Sequence, residues 1–528
     1  MIEKIIKAVK RGNKRRGRNI TIGAVIGFLL SCTAVMGADD NYLWIREDDG
    51  TIKFNTAITI DENGTKGNWK EENPYEDAGN IWDTGTKTYT NNTTLLSSDV
   101  NGKDGNYDIS YGLRLSGNLT GVNFVNNASI MSTTSDSSIG IGIYNTGAIG
   151  NIANAGEISG TGSSSSSPSE SYGIINNSGI MGTITNIGII SGTRKSDGSG
   201  DGTGSGIANN SGIMGKVENA GTISGIGSSS SGKGIGYGIF NISNIKKMGN
   251  VTNKMGTITN AGIISGTGSS SSGYGDGYGI YNKSGKIGDI TNAGIISGTS
   301  KSDGSGSGTG YGIYNDSSTM GKITNTGVIS GTGSSSSGSG VGSGIFNKSG
   351  KIGDITNAGL ISGSGKSSGN NKTSTGFGIY NDYSSEIKDI TNTGLISGYG
   401  SSSNIGNASG IVNAGKIGNI TNIGIIIGTG ISDNNGTGSG IFNTIALENI
   451  TNTGVIIGTG SGTSSDGAGI YNNYSSSGRE IENIINTGVI YGTDNAIKND
   501  GSATIDTVNN YGITLSLHDA LPIRKSVV

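Results

Sequence analysis

Only one histidine, His518, and one cysteine, Cys32, occur in the 528 residues of this chain. That removes Ser-His-Asp nucleophilic chemistry and histidine- or cysteine-held metals in any ordinary form. Whatever chemistry remains must come from carboxylates, phenols and amides. Asp289, Asp354 and Asp389 recur one residue before an aliphatic position, where clustered carboxylates could do acid–base work on a polysaccharide. Asn419 takes the same place, and its parity faces solvent, so the better reading is a solvated position. The Gly/Asp tract Asp197–Gly204 has the composition of a calcium loop, but no Gly-Gly-x-Gly-x-Asp occurs. Tyr144, Tyr281, Tyr314, Tyr380 and Tyr471 alternate with Phe240, Phe346 and Phe442, each beside an inward isoleucine. An outward aromatic row follows, either steadying a stack or forming a ligand strip. No catalytic residue, cofactor or metal site is expected.

These residues are carried by a repeat. Its sharpest unit is Ile290-x-Asn292-x-Gly294-x-Ile296-x-Gly298. The asparagine recurs at Asn154, Asn186, Asn219, Asn260, Asn292, Asn325, Asn357, Asn392, Asn422, Asn452 and Asn486, in steps mostly of 30 to 35 residues. Such a period is the signature of stacked coils. Ile or Val stands two residues before each asparagine and Ile four after it, while the intervening position accepts Glu157, Thr222, Ile295 or Leu360. One fixed parity and one free parity mean a strand with a single buried face. The asparagine shares the buried parity. A lone buried amide is costly, but one stacked on its counterpart in the next coil can donate along the axis. The other half of each coil reads Gly-Ile-Tyr/Phe-Asn, as at Ile313–Asn315.

The expected fold is all-β: a right-handed parallel β-helix, or β-solenoid, of roughly 32-residue coils with Gly/Ser-rich loops. Strands about 4.8 Å apart would make a stack roughly 60 Å long. With 99 glycines the composition first suggests a flexible chain, but a disordered linker needs no isoleucine register. The Gly/Ser tracts Ser163–Ser167, Ser228–Gly232, Ser269–Gly273 and Ser334–Gly340 vary in length and are expected to form a mobile fringe on one edge. Deleting Ser334–Ser337 should then leave stability nearly unchanged. A β-propeller shares the period but needs four strands per blade and an aromatic signature that is missing.

Four regions follow. Residues 1–38 read as a signal peptide: a basic start to Arg18, an apolar run Ile20–Leu30 too short for an ordinary membrane span, and cleavage after Gly37 or Ala38. Nucleic-acid binding by the basic run is the rival reading. Cys32 sits in a weak lipoprotein box, so whether it is lipidated or removed stays open. Residues 39–110 hold Trp44, Trp69 and Trp82 and read as an N-terminal cap, or else a small binding domain. Residues 111–514 read as the β-helix repeat region. Residues 515–528 break the repeat grammar. Ser516–Ile523 can be encoded by the end of a common sequencing adapter, and the reverse complement of its His518–Pro522 codons translates as Arg524–Val528. This tail is read as adapter, not native sequence, and the natural gene is expected to continue past Thr514. The net charge of −3 argues against a nucleic-acid or anionic-membrane partner.

The basic signal segment, the start Ala38–Glu47 and the Asn-x-Gly-x-Ile-x-Gly units together resemble the passenger region of type V autotransporters, surface proteins of Gram-negative bacteria. The resemblance implies export through the inner membrane and display at the cell surface, with anchoring in the outer membrane through a C-terminal β-barrel. No barrel-like strand pattern follows Thr514. It also implies an adhesin or structural stalk whose partner is a ligand on a host cell or matrix. A β-helical lyase or hydrolase acting on polysaccharide is the alternative.

Overall fold

The computed structural model describes residues 41–516, apart from 57–68, 99, 105–106, 136–137, 166–168, 244–253 and 475–479. The signal segment, Cys32, His518 and the adapter-like tail after Ser516 lie outside the described residues. All regular structure described is β, arranged as a parallel solenoid of three long sheets. One coil shows the plan. Gly275–Lys283 lies in the first sheet, Lys286–Ile287 and Ile290–Asn292 in the second, and Ile295–Ser302 in the third. The next coil repeats it in register: Ile280 pairs with Ile313, Ile290 with Ile323, and Ile296 with Ile329. The third sheet alone has 14 strands, which at about 4.8 Å each stack to roughly 60 Å.

The isoleucine columns explain the register. Ile280, Ile287, Ile290 and Ile296 are fully buried and belong to one continuous core with their counterparts in every coil. A slip by one residue would turn each column outward. The in-register stack begins before Tyr111. Leu43–Asp48, Thr88–Asn91 and Leu95–Ser97 each pair parallel with the coil above. Thr51–Asn55 and Ile81–Asp83 then cover two of these first strands in the antiparallel sense, which closes an otherwise open sheet edge. Tyr89 stacks on Phe124, centroids 5.6 Å apart, filling the core where isoleucine gives way to larger side chains.

The Gly/Ser tracts Ser228–Gly232, Ser269–Gly273 and Ser334–Gly340 are hydrogen-bonded coil to coil and are not a free fringe, while residues 166–167 of the tract Ser163–Ser167 lie outside the described residues. Ser269 and Ser270 end a strand of the third sheet, Gly275 begins the next strand of the first, and the two sheets continue face to face beyond the core. Packed sheets normally stand about 10 Å apart with side chains between them. Here the backbones touch. A Cβ on Gly266 would stand 1.9 Å from the Tyr278 carbonyl oxygen, and one on Gly268 2.0 Å from that of Asp276. Alternating glycines therefore build a thin double-layered fin. Its tip is tied coil to coil: Ser335 Oγ donates to the Gly306 carbonyl at 2.7 Å and accepts from the Gly338 amide at 2.7 Å. Ser270 does the same with Gly232 and Gly273. Ser335→Ala should thus cost about 1–2 kcal/mol, read as faster hydrogen exchange at Gly338. Unchanged exchange there would restore the picture of a free loop.

Candidate functional site

The asparagines stand at the corner between the second and third sheets. From Asn154 to Asn452, each Nδ2 donates to the Oδ1 of the next at 2.8 Å. The column runs on from Asn486 to Asn510 and begins at Asn80, Asn91 and Asn126. From Asn126 to Asn452 the second N–H of each amide is also placed. That of Asn292 is shared between the Gly294 carbonyl at 3.2 Å and the Val328 carbonyl at 3.0 Å. A second column stands at the corner between the first and second sheets. It links Asn145, Asn176, Asn209, Asn241, Asn282, Asn315 and their successors to Asn499 at 2.7–3.0 Å. Sequence reasoning missed it. Its signal was the asparagine that closes every Gly-Ile-Tyr/Phe-Asn half.

The recurring aspartates link coils. Asp289 Oδ1 accepts from the Lys322 amide at 2.8 Å, and Asp354 pairs with Lys388 at 3.2 Å. Asp389 Oδ1 takes both the amide and Nδ2 of Asn419, each at 2.8 Å, and a short amide row continues through Asn449 and Asn483. In the tract Asp197–Gly204, Asp201 accepts from the Lys233 amide and Asp197 pairs with Lys195. Among the described residues no group of three His, Cys, Asp or Glu is placed to hold a metal ion.

The aromatic row lies on the outer face of the first sheet, in register from Phe240 through Tyr281, Tyr314 and Phe346 to Tyr380. A second rank, Tyr237, Tyr278, Tyr311 and Phe377, packs against it. The ranks meet because of Gly279. Pairing skips this residue and the side-chain alternation reverses there, so Tyr278 and Tyr281 share a face while Ile280 points into the core. A Cβ on Gly279 would reach 2.5 Å from the Gly312 carbonyl and 2.7 Å from Ile296, so only glycine fits the bend.

The rings cover one another. Tyr237 stacks on Phe240 at 4.5 Å, Tyr278 on Tyr281 at 4.9 Å, and Phe346 on Tyr380 at 4.7 Å. Tyr281, Tyr311 and Tyr314 are under 10% exposed. Their faces are occupied by neighbouring rings, which is the geometry of a packed seam at the root of the fin. Burial, and then carboxylates including Asp316 and Asp276, hold the hydroxyls of Tyr281 and Tyr314 protonated far above their ordinary range. Asp276 borders the seam. Burial raises its carboxyl pKa, with a smaller push from Asp201, against a hydrogen bond from Thr309. An acid raised on folding stabilises less as pH climbs from its unfolded value, about 3.9, through its folded one. Asp276→Asn should therefore flatten the fall in melting temperature over that window, relative to the parent chain. An unchanged slope would mean Asp276 is solvated.

Compared with family models, with curated proteins and with solved structures, the chain gives no match.

Proposed function

We propose that the chain is a non-catalytic passenger, an adhesin or structural stalk exported and displayed at the cell surface. One observation carries this reading: the outward groups that could have done chemistry are engaged in holding coil to coil. The aspartates bind the next coil's amides or lysines, and the aromatic rings stack on each other. What remains is a long, regular surface suited to display. The partner is a ligand of a host cell or matrix, and anchoring at the outer membrane falls to a β-barrel domain.

The alternative, a polysaccharide-acting enzyme, is favoured by one feature, the half-buried Asp276 with its raised pKa beside the aromatic seam. The purified chain should bind cultured epithelial cells or matrix-coated plates saturably and release no sugar from host or plant glycans. Sustained glycan turnover that disappears in Asp276→Asn would replace the first reading by the second.

A further inference from the structure

The outward column of the first sheet begins differently from the way it continues. Trp44, Arg114 and Tyr144 occupy its first three places, pairing in register. Around them cations and indoles alternate. The Arg46 guanidinium carbon lies 3.8 Å from the Trp69 ring centre, Trp69 meets Trp44 edge to face at 4.8 Å, and the Arg114 guanidinium carbon lies 4.0 Å from the Trp44 ring centre. Trp44 is fixed by its Nε1–H donating to Ser116 Oγ at 2.8 Å.

The charges here do not cancel. Asp48 is shared by Arg46 at 3.0 Å and Lys53 at 3.2 Å, and Arg114 makes no ion pair among the described residues. The Arg114 charge acts on the Tyr111 hydroxyl, whose pKa burial nevertheless raises. Glu47 is turned to the amides of Gly50 and Asn118. Three cations, Arg46, Lys53 and Arg114, thus stand against the two carboxylates of Asp48 and Glu47, an excess of one positive charge. The cluster also gathers donors without acceptors: Nε–H of Arg46, Nε–H of Arg114 and Nε1–H of Trp69 are buried and unpaired among the described residues. Buried N–H groups are rarely left so, and several together call for an acceptor-rich group.

We infer that the Arg46–Trp69–Trp44–Arg114 cluster is a binding site for an acidic sugar chain, one bearing carboxylate or sulfate groups. The fork of a guanidinium matches such an anion in two hydrogen bonds, and the indoles beside it offer apolar surface to the sugar ring. This rests on the reading of the chain as a binding passenger and names its ligand class.

The test uses the full chain and its own tryptophans. Trp44, Trp69 and Trp82 are the only three, so indole fluorescence reports on this end of the solenoid. The chain is titrated with a heparin hexasaccharide, with a hexagalacturonate and with neutral maltohexaose. A saturable change with one or both acidic chains, weakened by salt, and none with the neutral chain is expected; which acidic chain binds tells sulfate from carboxylate recognition. Arg114→Gln should weaken binding about tenfold or more with melting unchanged, and Arg114→Lys should fall between, since it keeps the charge without the fork. Equal binding of maltohexaose, undiminished binding by both Arg114→Gln and Arg46→Gln, or no response at millimolar acidic chain overturns the site. If the chain still attaches to cells while any of these holds, the passenger reading stands and only the ligand assignment fails.

Discussion

Asn292→Leu is expected to destabilise the solenoid by about 3 kcal/mol, and to do so locally. The substitution removes the acceptor of Asn260 Nδ2 and the donor to Asn325 Oδ1. Asn260 Nδ2 keeps the Gly262 and Ile295 carbonyls at 3.1 and 3.0 Å, so it is only partly orphaned. The Oδ1 of Asn325 has no such reserve, and the carbonyls of Gly294 and Val328 each lose a donor as well. In a quasi-one-dimensional stack such damage reaches nearest neighbours and little further. Hydrogen exchange should therefore quicken at Ile296 far more than at Ile158 or Ile456. Equal acceleration at all three would show that the stack unfolds as one unit.

Gly298→Ala should be of similar size for a different reason. Its Cβ would stand 1.9 Å from the Tyr311 carbonyl oxygen and 2.3 Å from that of Gly277. Both obstacles are backbone, so no rotamer change can relieve the clash. The two sheets of the fin must separate, at about 3 kcal/mol, the upper range for overpacking. The Tyr278–Tyr281 and Tyr311–Tyr314 contacts at the fin's root would open with them. The readout is the melting temperature, together with near-ultraviolet circular dichroism of the tyrosines. An unchanged tyrosine signal beside a lowered melting temperature would mean the fin and the seam are independent.

The core was legible because its rule is local. Ile290, Asn292 and Ile296 lie on one parity within seven residues, and every coil repeats them. The second amide column was harder to see, because Asn282 follows the reversal at Gly279 and no simple alternation connects it to Tyr278. The same reversal hid the second aromatic rank. The fin was misread because glycine and serine together look like flexible chain. The informative feature was their spacing: Gly266 and Gly268 alternate with Thr267 and Ser269, a period of two in which the missing side chain is the inward one. The Arg–Trp cluster left no periodic trace at all. It arises once, from Arg46, Trp69 and Arg114, far apart in the chain, and only the folded coil brings them together.

The amide columns also have a direction. Every Nδ2 in both of them donates toward the C-terminal coils, so the side-chain dipoles add instead of cancelling. Sheets themselves carry little net dipole. The two columns are therefore polarised along the axis, with carbonyl oxygen facing the N-terminal coils and amide hydrogen the C-terminal ones, while the short outer row Asn419–Asn449–Asn483 runs the other way. At the oxygen end Asn80 Oδ1 receives three donors, the amides of Asn92 and Thr93 and the Thr93 hydroxyl, which quench the accumulated negative pole. At the other end Asn499 and Asn510 point their N–H groups onward, to the Ala503 carbonyl and the Thr514 hydroxyl. The columns thus have a sense: a coil stacked next to Asn499 and Asn510 would have to meet them with oxygen acceptors, as each coil before it does.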